Sequence, residues 1–424
     1  MNCTQNERIN QVSEQTLVIG VDIASELNYA RAFNWRGIEK GKVFKFFNNL
    51  EGFQAFNEWA HQVMSANKLT NLIVAAEPTG HYWFGLADYL KDEKLKLVLV
   101  NPFHVNRAKE LDDNHPSKTD AKDPKTIAKL VIEGRYMEPY IPEGVYADLR
   151  IMYNCRQKVT KAMISLENQL KRWFRIYFPE YLSVFGNLSG QGSMAVLEKA
   201  VLPEEIISLG VDGINKLWRE RKLRAVGMKR AESLYEAAVK SIGRREGSVG
   251  GRAEFRMLWE DYCHKMEQME KLNIELESLL HKVPQAEEVL KMKGIGVVSV
   301  AGFFAEVGDL RRFESPKQIQ KLAGLAIREN SSGKHKGQTT ISKRGRARLR
   351  AVLFNAAIAL VGRNGAFKSI HEYYIGRKAN PLKKKQSIVA VSCKLIRIIY
   401  AICRHKEAYD EAKMLRDIRR EQLA

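Results

Sequence analysis

The sequence predicts an α/β N-terminal domain, then a long helical segment, then a mainly α C-terminal domain. Three observations lead to that reading. Over residues 1–141, apolar β-branched runs alternate with stretches of helical period. After Pro142 the apolar spacing changes to steps of three and four and largely stays there. The 424 residues are 45% hydrophobic and 28% charged, which is the balance of packed globular domains, two or three at this length.

The elements follow in order. Residues 16–24 (TLVIGVDIA) are apolar with a single charge and read as a buried strand that delivers Asp22 near its end. Residues 29–34 and 42–46 can complete a meander. Residues 49–63 have helical amphipathicity, and residues 72–76 form a second buried strand running into Glu77-Pro78-Thr79-Gly80. A third such strand, residues 95–100, ends at Asn101-Pro102. Three strands, helix, strand, helix, strand, helix is the order of a ribonuclease-H-like domain. An ordinary doubly wound sheet is the competing fold.

From Leu149 through Leu170 to Trp173, apolar residues mark one helix face until Pro179. Residues 186–193 read as a loop, Pro203 starts a short helix that Gly210 to Gly213 ends, and Gly247-Ser248-Val249-Gly250-Gly251 reads as a linker. Residues 255–283 carry apolar groups at steps of three and four, as in a helical hairpin arm or a short coiled coil. Such a helix can pair, dimerise or pack within its own domain. Lys293-Gly294-Ile295-Gly296 before the apolar residues 297–307 gives a helix-hairpin-helix-like start, in which Gly294 and Gly296 could present amides to a nucleic-acid backbone. Residues 313–325 are amphipathic, residues 328–340 read as a polar loop, and helices resume at Arg346 and at residues 386–405. The expected division is residues 1–141 as the α/β domain and 142–290 as a helical linker and coiled-coil region with room for an inserted module. Residues 291–405 follow as the C-terminal domain, and 406–424 as a charged tail.

The net charge is +20, and residues 341–424 hold twenty Lys and Arg against six Asp and Glu, which is 14 of that excess. Uncompensated cations at this density call for a polyanion, so nucleic acid is the expected partner. The densest stretch carries Lys343, Arg344, Arg346, Arg348 and Arg350, followed by Lys383, Lys384 and Lys385. Five scattered cysteines without a CxxC pair argue against a disulfide framework or a structural zinc site. No run approaches the roughly 20 apolar residues of a membrane span, and the opening residues are polar, so no membrane role and a cytoplasmic, nucleoid-associated location are expected.

Asp22 and Glu77 end two apolar strands, where a carboxylate is costly unless it meets solvent or a cation. Asp120 and Asp123 stand three apart and share a face if helical. Each has an ordinary reading: Asp22 as a turn cap, Glu77 paired with His81, Asp120 and Asp123 as an exposed helix start. Together, four carboxylates near one sheet edge suit a hard divalent cation, Mg²⁺ with Mn²⁺ as the alternative.

These residues carry a resemblance. GVDIA, AAEPTGHYW, VNPFHV and SKTDAKDPKTIAKL are similar to the DEDD domain of the RuvC-like insertion-sequence transposases, which include the Piv and MooV recombinases. The block from GIGVVSV to RGRARLR is similar to that family's second domain. The resemblance implies a DNA recombinase with a composite active site, its metal-holding carboxylates falling on Asp22, Glu77, Asp120 and Asp123. The family's nucleophilic serine falls on Ser332, with Ser331 as its neighbour, where spacing alone would suggest a turn residue. Lys118, Lys334 and Lys336 then join the expected nucleic-acid contacts. The resemblance also implies a noncoding bridge RNA that guides the protein to donor and target DNA. Recombination joins two duplexes, so a homodimer or homotetramer is expected. The sequence departs from the family in KGIG, where proline usually precedes GIG, and at Ile327, where proline is common. The alternatives are a protein-guided invertase or junction nuclease of the same fold, and a catalytically silent nucleic-acid-binding protein.

Overall fold

The structure, a computed structural model, describes residues 4–112, 122–328, 331–332, 335–336 and 339–422. It divides into two compact units, Met1–Ile141 and Pro142–Ala424.

The first unit comprises α1 (Gln5–Asn10), β1 (Thr16–Asp22), β2 (Leu27–Phe33), β3 (Phe44–Phe47), α2 (Leu50–Ala66) and β4 (Asn71–Ala76). There follow α3 (Trp83–Asp92), β5 (Lys96–Val100), α4 (Pro102–Asp112), α5 (Asp123–Ile132) and the short β6 (Tyr136–Met137). The sheet runs β3-β2-β1-β4-β5-β6, antiparallel across β1 to β3, parallel from β1 through β4 to β5, and antiparallel again at β6. Helices cover both faces, so the central strands are buried on both sides and read as near-continuous apolar runs. Leu17, Ile19, Val21, Val74 and Ala76 pack toward α2 and α3. Val18, Ile73, Ala75, Val98 and Val100 pack toward α4 and α5.

The second unit is mainly helical, with α6 (Val145–Tyr177), α7 (Tyr181–Val184), α8 (Gln191–Leu197), α9 (Pro203–Glu220), α10 (Met228–Val239), α11 (Ser248–His281), α12 (Ala286–Leu290), α13 (Val297–Val307) and α14 (Pro316–Leu322). Four two-residue strands follow, β7 (Ile327–Arg328), β8 (Ser331–Ser332), β9 (His335–Lys336) and β10 (Thr340–Ile341), and then α15 (Ala347–Arg363), α16 (Gly365–Gly376), α17 (Lys384–His405) and α18 (Glu411–Gln422). The helices α6 and α11 pair antiparallel. Trp173 of α6 meets Phe255 of α11 with ring centroids 4.8 Å apart, while nearer their other ends Arg156 Nε donates to Asn273 Oδ1 at 2.8 Å.

Two expectations need correction. Residues 247–251 are no linker: only Gly247 is left-handed (φ 76), and α11 starts at Ser248. Gly251 is required there by packing, because a Cβ would lie 2.6 Å from the Tyr177 ring. The Trp173 indole N–H also donates to its carbonyl at 2.7 Å. The helix begun at Pro203 does break at Gly210, as expected: Gly210 (φ 66, ψ 172) is non-helical, and a second helical stretch of α9 runs on to Glu220. Residues 328–340 are not a plain loop, since β7 pairs with β10 and β8 with β9.

Among the described residues one helix, α17, is long and apolar enough to cross a membrane. Half of that stretch is buried inside the unit, where Ile388, Val391, Leu395, Ile396 and Ile399 join the core around α13 and α15. Its apolarity therefore has an explanation in packing.

Candidate active site

Strand pairing places the first two carboxylates. β1 and β4 run parallel in register Val21↔Ala76, so Asp22 and Glu77, one residue further on each strand, leave the sheet side by side, about 4.8 Å apart in backbone. Alternation along β1 puts Val18, Gly20 and Asp22 on the face that α5 covers.

Gly20 seats the helix that carries Asp123. A Cβ at this position would lie 1.9 Å from the Pro124 carbonyl oxygen and 3.0 Å from Ala128 N. The first turn of α5 therefore rests directly on the β1 backbone two residues before Asp22. Asp123, the first residue of α5, arrives with that turn.

The local electrostatics reflect this crowding. Burial pushes the Glu77 carboxyl above its ordinary value; the Lys109 ammonium opposes that, and the Asp123 charge adds to it. Lys109, from the last turn of α4, holds Asp123 Oδ2 at 2.6 Å. The charges of Asp123 and Lys109 thus both act on Glu77, in opposite directions. All the donors are hard oxygens, which fits Mg²⁺ or Mn²⁺. Among the described residues no three Asp, Glu, His or Cys groups come together closely enough to hold an ion. Asp120 and Lys118 lie outside the described residues. Gly20 and Lys109 were not singled out by sequence; the signal for Gly20 was a glycine inside a strand run, which marks close backbone approach.

Ser332 sits in the second unit on a β excursion. Its base is tied by β7 and β10 through Ile327↔Ile341 and Arg328↔Thr340, and its tip by Ser331↔Lys336 and Ser332↔His335. Ser332 ends β8, and Gly333 and Lys334 lie outside the described residues. Below the base, Ser342 N donates to Ala326 O at 2.8 Å and Lys343 N to Gly324 O at 3.0 Å, fixing Ala323-Gly324-Leu325 against the basic segment.

The basic residues divide in two. Arg350 Nη1 donates to the Ala323 carbonyl at 3.0 Å and the Lys343 carbonyl at 3.3 Å. Arg346 donates to the Glu306 carbonyl, and Arg348 to the Asn154 amide oxygen. These three are committed to the unit's own structure. Lys343, Arg344, Lys383, Lys384 and Lys385 are exposed and make no ion pair among the described residues. Gly294 (φ 99) turns the chain between α12 and α13, packed on Arg363, and Gly296 caps α13 with open space around it.

Comparison with known proteins shows the family. The transposase family pattern DEDD_Tnp_IS110 matches residues 19–179, and the one described as Transposase IS116/IS110/IS902 family matches residues 286–374; together they span more than half of the chain. The chain is 24% identical over 300 residues to the insertion element IS116 uncharacterized 44.8 kDa protein of Streptomyces clavuligerus, covering 70% of this chain and 73% of that one. It is 31% identical over 156 residues to the pilin gene-inverting protein of Moraxella bovis, 35% of this chain and 47% of the relative. It is 27% identical over 135 residues to the transposase for insertion sequence element IS1111A of Coxiella burnetii, 32% of this chain and 37% of the relative. The carboxylates at the strand ends and the segment carrying the serine fall in two separate matches, in chain order, and the chain belongs to the DEDD insertion-sequence transposases of the IS110/IS116 family.

Proposed function

We propose that this transposase cuts and rejoins DNA through a serine–DNA intermediate formed by Ser332, with Asp22, Glu77, Asp120 and Asp123 holding Mg²⁺, and that a noncoding RNA selects the sites. The observation that carries the reading is that parallel register sets Asp22 and Glu77 at neighbouring strand ends, while Gly20 seats the first turn of α5, which begins at Asp123, against the same strand. The strand order, antiparallel for the first three strands and parallel thereafter, supports a ribonuclease-H-like, RuvC-like assignment for residues 1–141. The remaining division at 142–290, 291–405 and 406–424 is part of the same proposal.

In the reaction the Ser332 Oγ–P bond forms as the P–O bond to the leaving deoxyribose breaks. The serine proton passes to a base, and the leaving sugar oxygen is protonated. The phosphodiester count is unchanged, so the energy of the bond is kept for rejoining. Bound Mg²⁺ supplies a Lewis acid for the charge that develops on the phosphoryl oxygens. Asp22 and Glu77 supply fixed negative oxygens on the rigid sheet, and Asp123 is aligned by α5. Lys109 balances the charge at Asp123.

Guidance by RNA is supported by the exposed cations Lys343, Arg344 and Lys383 to Lys385, which suit any phosphate backbone. A homodimer or homotetramer acting on the nucleoid in the cytoplasm follows from the joining of two duplexes. The match to the pilin gene-inverting proteins favours a second reading, site-specific inversion directed by protein contacts. Purification from cells carrying the native flanking DNA, with sequencing of co-purified RNA, separates them. A discrete RNA encoded beside the gene is expected. Heterogeneous RNA removed by salt would refute guidance and leave inversion.

A further inference from the structure

Residues 180–285 lie between the two family matches. Helices α7 to α10 there build a core of their own with the ends of α6 and α11, centred on Phe178, Tyr181, Ile206, Ile214 and Trp218. The surface of this module is basic: residues 216–245 hold ten Lys and Arg against three Asp and Glu. Two concavities of ≈ 860 and ≈ 670 Å³ adjoin there, sharing Val184, Ala225, Val226 and Arg230.

The charges at this surface fall into framework and free groups. Arg219 donates to the carbonyls of Leu223 (3.1 Å) and Val226 (2.5 Å), fixing the loop between α9 and α10. Arg221 is paired with Glu198. Arg230 donates to Val184 O and lies 5.5 Å over the Phe185 ring. The acids at the rim are also occupied. Glu180 accepts from Ser241 Oγ (2.6 Å) and Ile242 N (3.0 Å), and Glu236 is 3.5 Å from Lys240. Lys222, Arg224 and Lys229 line the same concavities, are exposed, and make no ion pair among the described residues. This is the reverse of residues 346–350, where the arginines serve the fold.

We propose that the α9–α10 loop and its groove grip the backbone of a DNA duplex. Free cations on a rigid concave support make phosphate contacts. A single strand would call for exposed aromatic rings to stack bases, and the aromatic side chain in this lining, Phe185, is buried under Arg230. Duplex DNA is the polymer on which the family acts. The inference extends beyond the serine and metal chemistry and does not depend on it.

The test uses the full chain and its element-end duplex across a salt series. The variant Lys222→Ala/Arg224→Ala/Lys229→Ala should lower the slope of log affinity against log salt by about 2.7. It should also weaken binding at least about tenfold at roughly 0.1 M salt, with unchanged melting. Lys222→Arg/Lys229→Arg should bind as the parent does, and Ser332→Ala should retain binding, which separates this surface from the chemistry. Acetylation footprinting on the unaltered protein should show Lys222 and Lys229 protected by duplex DNA, a readout that survives a variant that fails to fold. An unchanged slope, unprotected lysines, or losses confined to an RNA duplex of equal length would overturn the proposal.

Discussion

Replacing Gly20 by alanine tests how the carboxylates are assembled. The new methyl would sit 1.9 Å from the Pro124 carbonyl oxygen, where ordinary contact begins at 3.4 Å; the shortfall, 3.4 less 1.9, is 1.5 Å. Both neighbours are backbone, so α5 must retreat or β1 must bend. Over-packing of this kind costs about 1–3 kcal/mol. Mg²⁺ holds oxygens at about 2.0–2.1 Å with a tolerance of about 0.2 Å, so a retreat of that size removes Asp123 from any shared site. Mn²⁺ titration by electron paramagnetic resonance should then show at least roughly tenfold weaker binding, about 1.4 kcal/mol. Hydrogen exchange of β1 and α5 amides should quicken in step. Gly85→Ala is the control: its Cβ would meet Phe53 at 3.6 Å, an ordinary contact, in a helix where alanine gains about 0.5–1 kcal/mol over glycine. A Gly20→Ala protein with parental exchange rates and parental Mn²⁺ affinity would refute the reasoning.

Other outcomes follow from the same geometry. Lys109→Met removes the cation that competes at Asp123, so Mn²⁺ affinity should rise by up to roughly fivefold, the equivalent of ~1 kcal/mol for a partly exposed pair; a fall would assign Lys109 a supporting role instead. Arg350→Ala should cost about 1.5–3 kcal/mol through its two carbonyl contacts while leaving the salt dependence of DNA binding unchanged, as read by urea unfolding and anisotropy. Burial pushes the Cys403 thiol from 9.0 up to about 12. The sign is that of a raised group: the folded protein keeps the thiol protonated below about pH 12, so iodoacetamide at pH near 9.0 should modify Cys403 in unfolded protein and spare it in folded.

Much of the first unit was legible because its central strands are covered on both faces, which leaves β1, β4 and β5 as uninterrupted apolar runs. β6, with two residues, has too little pattern to show. Asp22 and Glu77 were legible as charges ending such runs. That the first turn of α5, with Asp123, is seated on β1 depends on Gly20 meeting Pro124, a contact across the sheet and helix layers that no local spacing encodes. Gly250 and Gly251 looked like a linker because glycine is a poor helix former, yet the Tyr177 ring demands one there. The pairs Ile327↔Ile341 and Ser332↔His335 are made by backbone and so leave no side-chain period. Arg346, Arg348 and Arg350 looked like a surface charge run, while their acceptors on residues 306, 154 and 323 are remote in sequence. Ser332 was legible only through the family motif.

The central claim is the covalent step at Ser332. The protein, its element-end DNA, co-purified RNA and Mg²⁺ should yield a species that survives denaturation, and peptide mass spectrometry should place a nucleotide phosphate on Ser332. That species should be absent from Ser332→Ala and present in Ser331→Ala. Strand-transfer products formed by Ser332→Ala, or an adduct mapped to another residue, would contradict the account.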